Sequence, residues 1–131
     1  MAGAIDAAFA ISHADADHCN GLPALLEAVP VGKVLDRPQV CRQRLSLARR
    51  TADLCNRKQI PVVPLIKGER VPLCPDVEIQ LFHPPQGFES EKDNPMSLVA
   101  GIEYCGRRIL LTGDLEGDGL AEVLSQPAWG L

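Results

Sequence analysis

The sequence has few aromatic residues, no long hydrophobic run and no closely spaced pair of cysteines. Its 131 residues include three Phe, one Tyr and one Trp, and 46% of them are hydrophobic. No apolar stretch is long enough to cross a bilayer, and the N-terminus lacks the basic start and cleavage site of a secretory signal. Five cysteines without a Cys-x-x-Cys pair argue against a complete disulfide framework. We therefore expect the chain by itself to be soluble and to form at most one domain.

Four potential metal ligands lie in six consecutive residues, His13-Ala14-Asp15-Ala16-Asp17-His18. The preceding run, 5–12, is short and apolar, which predicts a buried strand that ends where the ligands begin. If the extended geometry persists, its period of two places His13, Asp15 and Asp17 on one side, and a turn at Asp17-His18 brings the last imidazole to them. Two imidazoles and two carboxylates so close together are costly to desolvate unless a cation pairs with them. The cluster predicts a metal site at the C-terminal mouth of a strand.

Single residues of this kind also have simpler interpretations. Asp17 could cap the helix that begins near Leu22. Cys19 could be a soft metal ligand or an oxidisable thiol, although most of the cysteines are expected to be small core residues. Near the other end of the chain, Asp114 follows a glycine and could cap the next helix. For the first cluster, four ligand-type side chains at a strand end favour metal binding.

Strands and helices alternate along the chain. The hydrophobic patterns and turn residues predict strands at 5–12, 32–35, 61–66, 78–82, 97–104 and 107–112, and helices at 22–28, 38–58 and 116–125. An apolar stripe along helix 38–58 consists of Cys41, Leu45, Ala48, Ala52 and Cys55. Residues 67–68 and 74–76 are predicted as turns, and 84–95 as a loop. This order predicts an α/β sandwich whose last hairpin carries Asp114 to the mouth of the first motif.

The first motif resembles the metal motif of the metallo-β-lactamase superfamily, His-x-His-x-Asp-His, with Asp15 in place of the second histidine. With the Cys19-Asn20-Gly21-Leu22 that follows, it is similar to the hydrolase domain of the ComEC competence proteins. That family carries Ser-His-x-Asp-Ala-Asp-His and then a Gly-Gly-Leu-type helix start, and Asn20 stands where it usually has Gly. Three later stretches agree in order and spacing: Leu81-Phe82-His83-Pro84-Pro85, Asn94-Pro95-Met96-Ser97-Leu98-Val99 and Leu110-Leu111-Thr112-Gly113-Asp114.

The resemblance implies a metallo-β-lactamase-like αββα sandwich and a metal-dependent hydrolase. The implied metal ligands are His13, Asp15, Asp17, His18 and a bridging Asp114, and Asp17 is also expected to be catalytic. Asn94 and Ser97 occupy the place of a ligand histidine in other superfamily members. They are expected to orient a ligand or contact substrate, although Asn94 before Pro95 is equally well a turn residue. His83 is expected to be packed or hydrogen-bonded rather than ligating.

The ligand set indicates the metal and the reaction. Asp15 in place of an imidazole makes the set richer in oxygen, which shifts the preference from zinc towards manganese or magnesium without excluding zinc. Two such divalent ions would stabilise both the attacking and the leaving oxygen of a phosphodiester. The resemblance implies DNA as the substrate, cleaved during DNA uptake in natural competence. It also implies a membrane channel protein as the parent, with this domain at its extracytoplasmic face.

Charge neither requires nor forbids a nucleic-acid partner. The net charge is -4, so an attraction for a polyanion must be local. The region 37–58 holds seven basic residues against the single acid Asp53, namely Arg37, Arg42, Arg44, Arg49, Arg50, Arg57 and Lys58. It could follow phosphates, although a charged helix face is more often simply solvated. No aromatic residues lie among these charges, which argues against stacking on bases.

The sequence also departs from the family pattern. The Asp-Val-Gly-Gln-Gly-Asp stretch expected before the first motif and the His-His-Gly-Ser motif expected after Asp114 are both absent. We expect residues 1–131 to form the central part of a larger hydrolase domain, with an unpaired sheet edge, uncovered apolar faces and weak or no activity alone. Two other functions fit the same ligands: a metallo-hydrolase of small esters, thioesters or phosphorylated metabolites, and a non-catalytic metal-binding module.

Overall fold

A computed structural model describes residues 7–13, 16–37 and 45–127 of the chain. The strands are β1 Ala7–Ala10, β2 Val31–Asp36, β3 Val62–Pro64, β4 Arg70–Cys74, β5 Val77–His83, β6 Val99–Tyr104 and β7 Arg107–Leu111. The helices are α1 Ala16–Cys19, α2 Leu22–Ala28, α3 Leu45–Arg57 and α4 Gly117–Leu124, with a short 3-10 helix at Asn94–Met96. The fold is therefore mixed α/β. In the described part of the chain, none of the helices combines the length and the apolar character that a bilayer crossing requires.

The first sheet is parallel and has the order β1-β2-β3. In its central strand, Val34 and Leu35 are 0% and 2% exposed. Because neighbouring side chains of a strand point to opposite faces, these two residues belong to different cores. Val34 packs with residues of the helices, and Leu35 packs with residues of the second sheet. Both faces of the sheet are covered at this strand, as is typical of parallel sheets.

The second sheet is antiparallel and has the order β4-β5-β6-β7. The predicted hairpin between its last two strands is confirmed. Cys105 and Gly106 connect these strands with φ angles of 49° and 70°, the left-handed pair that a tight type I′ hairpin turn requires. Strand β4 was not predicted, because Pro72 and the turn residues around it obscured the pattern. Proline is compatible with this strand, since β4 lies at the edge of the described sheet.

Two apolar cores hold these layers together. One lies between the first sheet and the helices and contains Ile11, Cys19, Leu22, Leu26, Val34 and Cys55. The other lies between the two sheets and contains Leu35, Leu65, Leu81, Leu98 and Ala100. Helices α1 to α3, the parallel sheet and the antiparallel sheet thus stack in that order, whereas α4 contacts β5 of the antiparallel sheet. The stacking brings the C-terminal ends of β1 and β2 beside the antiparallel sheet.

The far edge of the antiparallel sheet is open among the described residues. Strand β7 pairs with β6 alone, and each of its five residues is exposed. Ile109, Leu110 and Leu111 are 59%, 43% and 51% exposed. Unpaired edge groups next to apolar side chains favour association with other chains.

Several predicted elements need correction. The turn predicted at Asp17-His18 is wrong, because both residues belong to the helix Ala16–Cys19. The predicted extended period of two therefore does not reach Asp17, and residues 14–15 lie outside the described part. Helix 38–58 is observed as Leu45–Arg57, and its residues 38–44, with Cys41, lie outside the described part. Ala52 is exposed, whereas Thr51 and Cys55 are buried, so the buried face of α3 is turned from the predicted stripe. Among the cysteines whose exposure is described, Cys19 and Cys55 are buried and Cys74 and Cys105 are exposed.

Candidate metal centre

The ends of three strands meet where the parallel sheet contacts the antiparallel sheet. Ser12 and His13 follow β1, Ser97 precedes β6, and Asp114 follows β7. The amide of Leu98 donates a 2.7 Å hydrogen bond to the carbonyl of Ser12, which ties the start of β6 to the end of β1. Residues from distant parts of the chain therefore converge at one corner of the fold.

His13 is held at this corner from three sides. Its side chain is fully buried, its Nδ1 lies 3.0 Å from the Ser12 hydroxyl, and its carbonyl accepts a 3.5 Å contact from the Cys19 thiol. Its Nε2 lies 3.4 Å from the carboxylate oxygen Oδ2 of Asp114, whose side chain is half exposed. The imidazole is thus fixed in the interior, and its partner carboxylate faces solvent.

This separation fits a shared metal ion. Zinc lies about 2.1 Å from imidazole nitrogen and carboxylate oxygen, so two such ligands in a tetrahedral site stand about 3.4 Å apart. His13 Nε2 and Asp114 Oδ2 are 3.4 Å apart in the structure. One nitrogen and one oxygen also suit manganese. The donor types and their spacing are therefore compatible with a divalent cation.

Gly113, which precedes Asp114, passes close to Ser97 and Ser12. It has a φ of +53°, and a Cβ at this position would lie 3.1 Å from Ser97 Cβ and 3.2 Å from both Ser97 Oγ and Ser12 Cβ. A larger residue would be strained by its backbone and crowded by both serines. Ser97 is fully buried, and its hydroxyl has no hydrogen-bond partner among the described residues. A buried hydroxyl without a hydrogen-bond partner lowers the stability of a fold, and a role in binding would explain why it is present.

The 3-10 helix Asn94–Met96, which positions Ser97, is fixed by buried donors. Arg37 donates through Nη1 to the Met96 carbonyl at 2.9 Å and through Nη2 to Asp93 Oδ1 at 2.5 Å. His83 Nε2 lies 2.9 Å from the Pro95 carbonyl. On the remaining side Gly119 packs so closely that a Cβ there would lie 1.9 Å from the same carbonyl. Arg37, His83 and Gly119 thus hold the 3-10 helix beside the candidate site.

Arg37 consequently does not belong to the predicted basic face. It is 4% exposed, and its charge is neutralised by buried Asp93. Lys58 is also engaged, since it pairs with Glu27 at 2.5 Å. Arg42 and Arg44 lie outside the described residues. The exposed basic residues that remain on α3 are Arg49, Arg50 and Arg57.

The prediction that His83 is packed and hydrogen-bonded is confirmed. It is fully buried, its Nδ1 lies 2.9 Å from Glu122 Oε2, and its ring contacts Phe88 edge to face at 4.7 Å. Lys67 donates to the other oxygen of Glu122 at 2.7 Å. Burial opposes ionisation of Glu122, but the hydrogen bonds from Lys67 and His83 outweigh it and hold the pKa of Glu122 below its usual value. This network fastens α4 to the end of β5.

Asp36 is a carboxylate at the C-terminal edge of the parallel sheet, where His13 also lies. It was not predicted to be a functional residue. It ends β2, beside the end of β1, and its Oδ1 accepts a 2.8 Å hydrogen bond from the Arg37 amide. Burial raises the pKa of Asp36 to about 6, against the hydrogen bond and charge of Arg37 and with a smaller contribution from Asp93. The signal available in the sequence was its position, because ligand sites of parallel sheets cluster at the C-terminal strand ends.

The other predicted site residues are only partly placed. Asp17 is exposed in the first turn of α1, and Asn94 is half-buried at the start of the 3-10 helix, where its carbonyl accepts the Ser97 amide at 3.0 Å. Asp15 and the side chain of His18 lie outside the described part of the chain. Within the described part, no group of three or more His, Cys, Asp or Glu side chains is arranged to hold a metal. The structure therefore brings together His13, Asp114 and Ser97 from the predicted set.

The two stacked sheets give the chain a fold similar to that of a solved structure. This structure is the crystal structure of Zn²⁺-bound PqqB from Methylobacterium extorquens, one of several that match, with a TM-score of 0.53 and 18% sequence identity. The similarity covers 79% of this chain and 37% of that one, so the chain spans little more than a third of its neighbour's length. No protein-family model and no curated protein matches the sequence.

Proposed function

We propose that this chain is part of a metal-dependent phosphodiesterase that cleaves DNA. The observation that supports it is the 3.4 Å approach of His13 Nε2 to Asp114 Oδ2 at the junction of the two sheets. The fold class suggests divalent-metal hydrolysis in general. The finer assignment rests on the ComEC-like motifs quoted above. It includes an αββα sandwich, DNA uptake in competence and a membrane-bound parent with this domain on the extracytoplasmic side.

His13 and Asp114 would hold the metal, together with Asp15, Asp17 and His18 of the first motif. Bound there, a divalent ion would acidify a water and stabilise the charge that develops on a phosphodiester. The contact of His13 Nδ1 with the Ser12 hydroxyl fixes the ring, so that Nε2 stays directed at Asp114. The half-exposed Asp114 leaves the site open to a substrate from solvent.

Ser97 would act on the substrate side. Its hydroxyl lies beside Gly113 and is buried without a hydrogen-bond partner among the described residues. A hydroxyl can donate to a phosphate oxygen or accept from a metal-bound ligand. Its fixed position would orient the bound group without a rearrangement of the protein. Asn94, at the start of the same turn, would contact the substrate next to it.

The experiment is a calorimetric titration with Mn²⁺ and Zn²⁺ of the chain and of its His13→Ala, Asp114→Asn and Asp118→Asn variants. Asp118 is an exposed carboxylate in the first turn of α4 and serves as the matched control. We expect saturable binding by the wild type and by Asp118→Asn, and a loss of at least about tenfold in affinity in the other two. Equal affinity in all four proteins would overturn the metal centre.

Hydrolysis is followed in the same samples with a labelled single-stranded oligonucleotide, a chromogenic phosphodiester and a chromogenic carboxylic ester. Metal-dependent cleavage of the oligonucleotide that is lost in His13→Ala would support a nuclease, at a low rate in this chain. A strong preference for the ester would instead support the small-molecule hydrolase. Saturable metal binding with no turnover, in this chain and in a longer parent, would support the non-catalytic module.

A further inference from the structure

A groove of about 370 Å³ lies between α3 and the residues that connect α1 to α2. Its lining comprises Cys19, Asn20, Leu22, Pro23, Arg50, Thr51, Asp53, Leu54 and Arg57. Cys19 links this groove to the candidate metal centre, because its thiol contacts the carbonyl of His13 at 3.5 Å. Cys19 therefore contacts His13 and also lines the groove.

One stripe of α3 forms a wall of the groove. This stripe consists of Arg50, Asp53, Leu54 and Arg57. Successive members lie three, one and three positions further along the sequence, the spacing that places side chains on one helix face. Both arginines are exposed, and neither forms an ion pair with a described residue. By contrast Lys58, Arg70 and Arg108 each contact a glutamate. The groove thus keeps two available guanidinium groups in a protein whose net charge is -4.

The arrangement of these cations suits a line of phosphates. Seven residues of α-helix rise about 10 Å, which is the length of about three phosphates of one nucleic-acid strand at a rise of ~3.4 Å. Guanidinium groups bind phosphate oxygens in a bidentate manner. The groove has no aromatic lining residue, so it offers no platform for stacked bases. Its chemistry therefore favours the backbone of a strand over its bases.

We propose that this groove binds the sugar-phosphate backbone of a single nucleic-acid strand through Arg50 and Arg57 and directs it to the His13 site. The inference deepens the proposed function and rests on it for the identity of the reaction, but the binding itself needs no metal. Asp53 lies between the two arginines and repels the strand, which limits the affinity. Binding is independent of base sequence, because the contacts are to phosphates.

The test is fluorescence anisotropy of a labelled oligothymidylate in EDTA, with the wild-type chain over a range of salt concentrations. The Arg50→Gln/Arg57→Gln variant should bind more weakly, and the slope of log affinity against log salt should fall by about 1.4, which is 0.7 for each lost phosphate contact to a single strand. The matched control is Arg70→Gln/Arg108→Gln, which makes the same charge change on the antiparallel sheet. This control should keep the wild-type slope.

A third variant tests the sign of the effect. Asp53→Asn removes the repulsion and should tighten binding severalfold, with unchanged circular dichroism because Asp53 is exposed. The proposal is overturned if both double variants weaken binding equally, if the slope does not change, or if thymidine monophosphate binds as tightly as the oligonucleotide. Because EDTA removes metal, failure here is separate from failure of the metal centre, which the calorimetric titration reports.

Discussion

Arg37 and Asp93 are 56 residues apart in sequence, yet they form a 2.5 Å ion pair whose side chains are 1% and 4% exposed. The pair joins the end of β2 to the turn that carries Ser97. Removing one member of a buried pair leaves the other charge without compensation, which is far more costly than removing both. The energetics of this corner therefore depend on the pair as a unit.

We expect Arg37→Met to lower the free energy of unfolding by about 3–5 kcal/mol. The double variant Arg37→Met/Asp93→Leu should recover at least half of that loss, since neither charge is then left buried without its partner, although the Met96 carbonyl loses its donor. Urea unfolding of the wild type, both single variants and the double variant measures the coupling. Additive losses would show that the ion pair does not act as a unit.

The stability of the protein should also depend on the close packing of Gly119 against the 3-10 helix. A Cβ at Gly119 would lie 1.9 Å from the Pro95 carbonyl, so Gly119→Ala forces α4 away from the 3-10 helix. The loss in unfolding free energy should be roughly 2–3 kcal/mol, because the obstacle is backbone. Gly21→Ala is the control: no atom lies within 4 Å of its Cβ position, and its loss should stay below about 1 kcal/mol. Equal losses in thermal unfolding would contradict the close packing of Gly119 against the Pro95 carbonyl.

The sequence predicted the parts of this corner that local patterns encode. The apolar run before His13 predicted β1, and the Cys105-Gly106 turn predicted the hairpin that carries Asp114 to His13. Arg37 was misplaced on a basic helix face because its partner Asp93 is distant in sequence and leaves no periodic signal nearby. Strand β4 was missed because Pro72 weakens its strand pattern. The ligand role of the first motif stays a prediction, as does the nucleic-acid substrate.

The raised pKa of Asp36 predicts a pH-dependent stability. The folded-state pKa is about 6 against a reference of 3.8, so the folded protein binds the proton more tightly than the unfolded chain does. The stabilisation that protonated Asp36 gives to the folded state is therefore fully present below about pH 4 and is lost as the pH rises through about 6. Relative to Asp36→Asn, the wild type should lose about 2–3 kcal/mol between these limits.

Urea unfolding at about pH 4 and about pH 8 measures this difference. Asp36→Asn should resemble the wild type in acid and be the more stable protein in base, since the amide keeps an acceptor for the Arg37 amide. Asp76→Asn, an exposed turn variant, should stay within about 0.5 kcal/mol of the wild type at both values. A wild type that gains on Asp36→Asn as the pH rises would have the opposite sign and would refute the assignment.

Substitution of Ser97 distinguishes a role in binding from a role in stability. Its buried hydroxyl has no hydrogen-bond partner among the described residues, so Ser97→Ala removes an unsatisfied group and should leave the free energy of unfolding unchanged or raise it by up to about 1 kcal/mol. Ser125→Ala is the comparison, because the Ser125 hydroxyl donates to the Glu122 carbonyl at 2.7 Å. That variant should lose about 0.5–1 kcal/mol.

Metal affinity and oligonucleotide cleavage should show the reverse order. Ser97→Ala should weaken one or both, because the hydroxyl beside Gly113 and Asp114 is the group we place against the bound ligand, whereas Ser125→Ala should leave both unchanged. A hydroxyl retained only for packing would give a different result, with a loss of stability and no change in binding. Urea unfolding and calorimetry on the same two variants therefore decide whether the corner between the sheets is a site or only a junction.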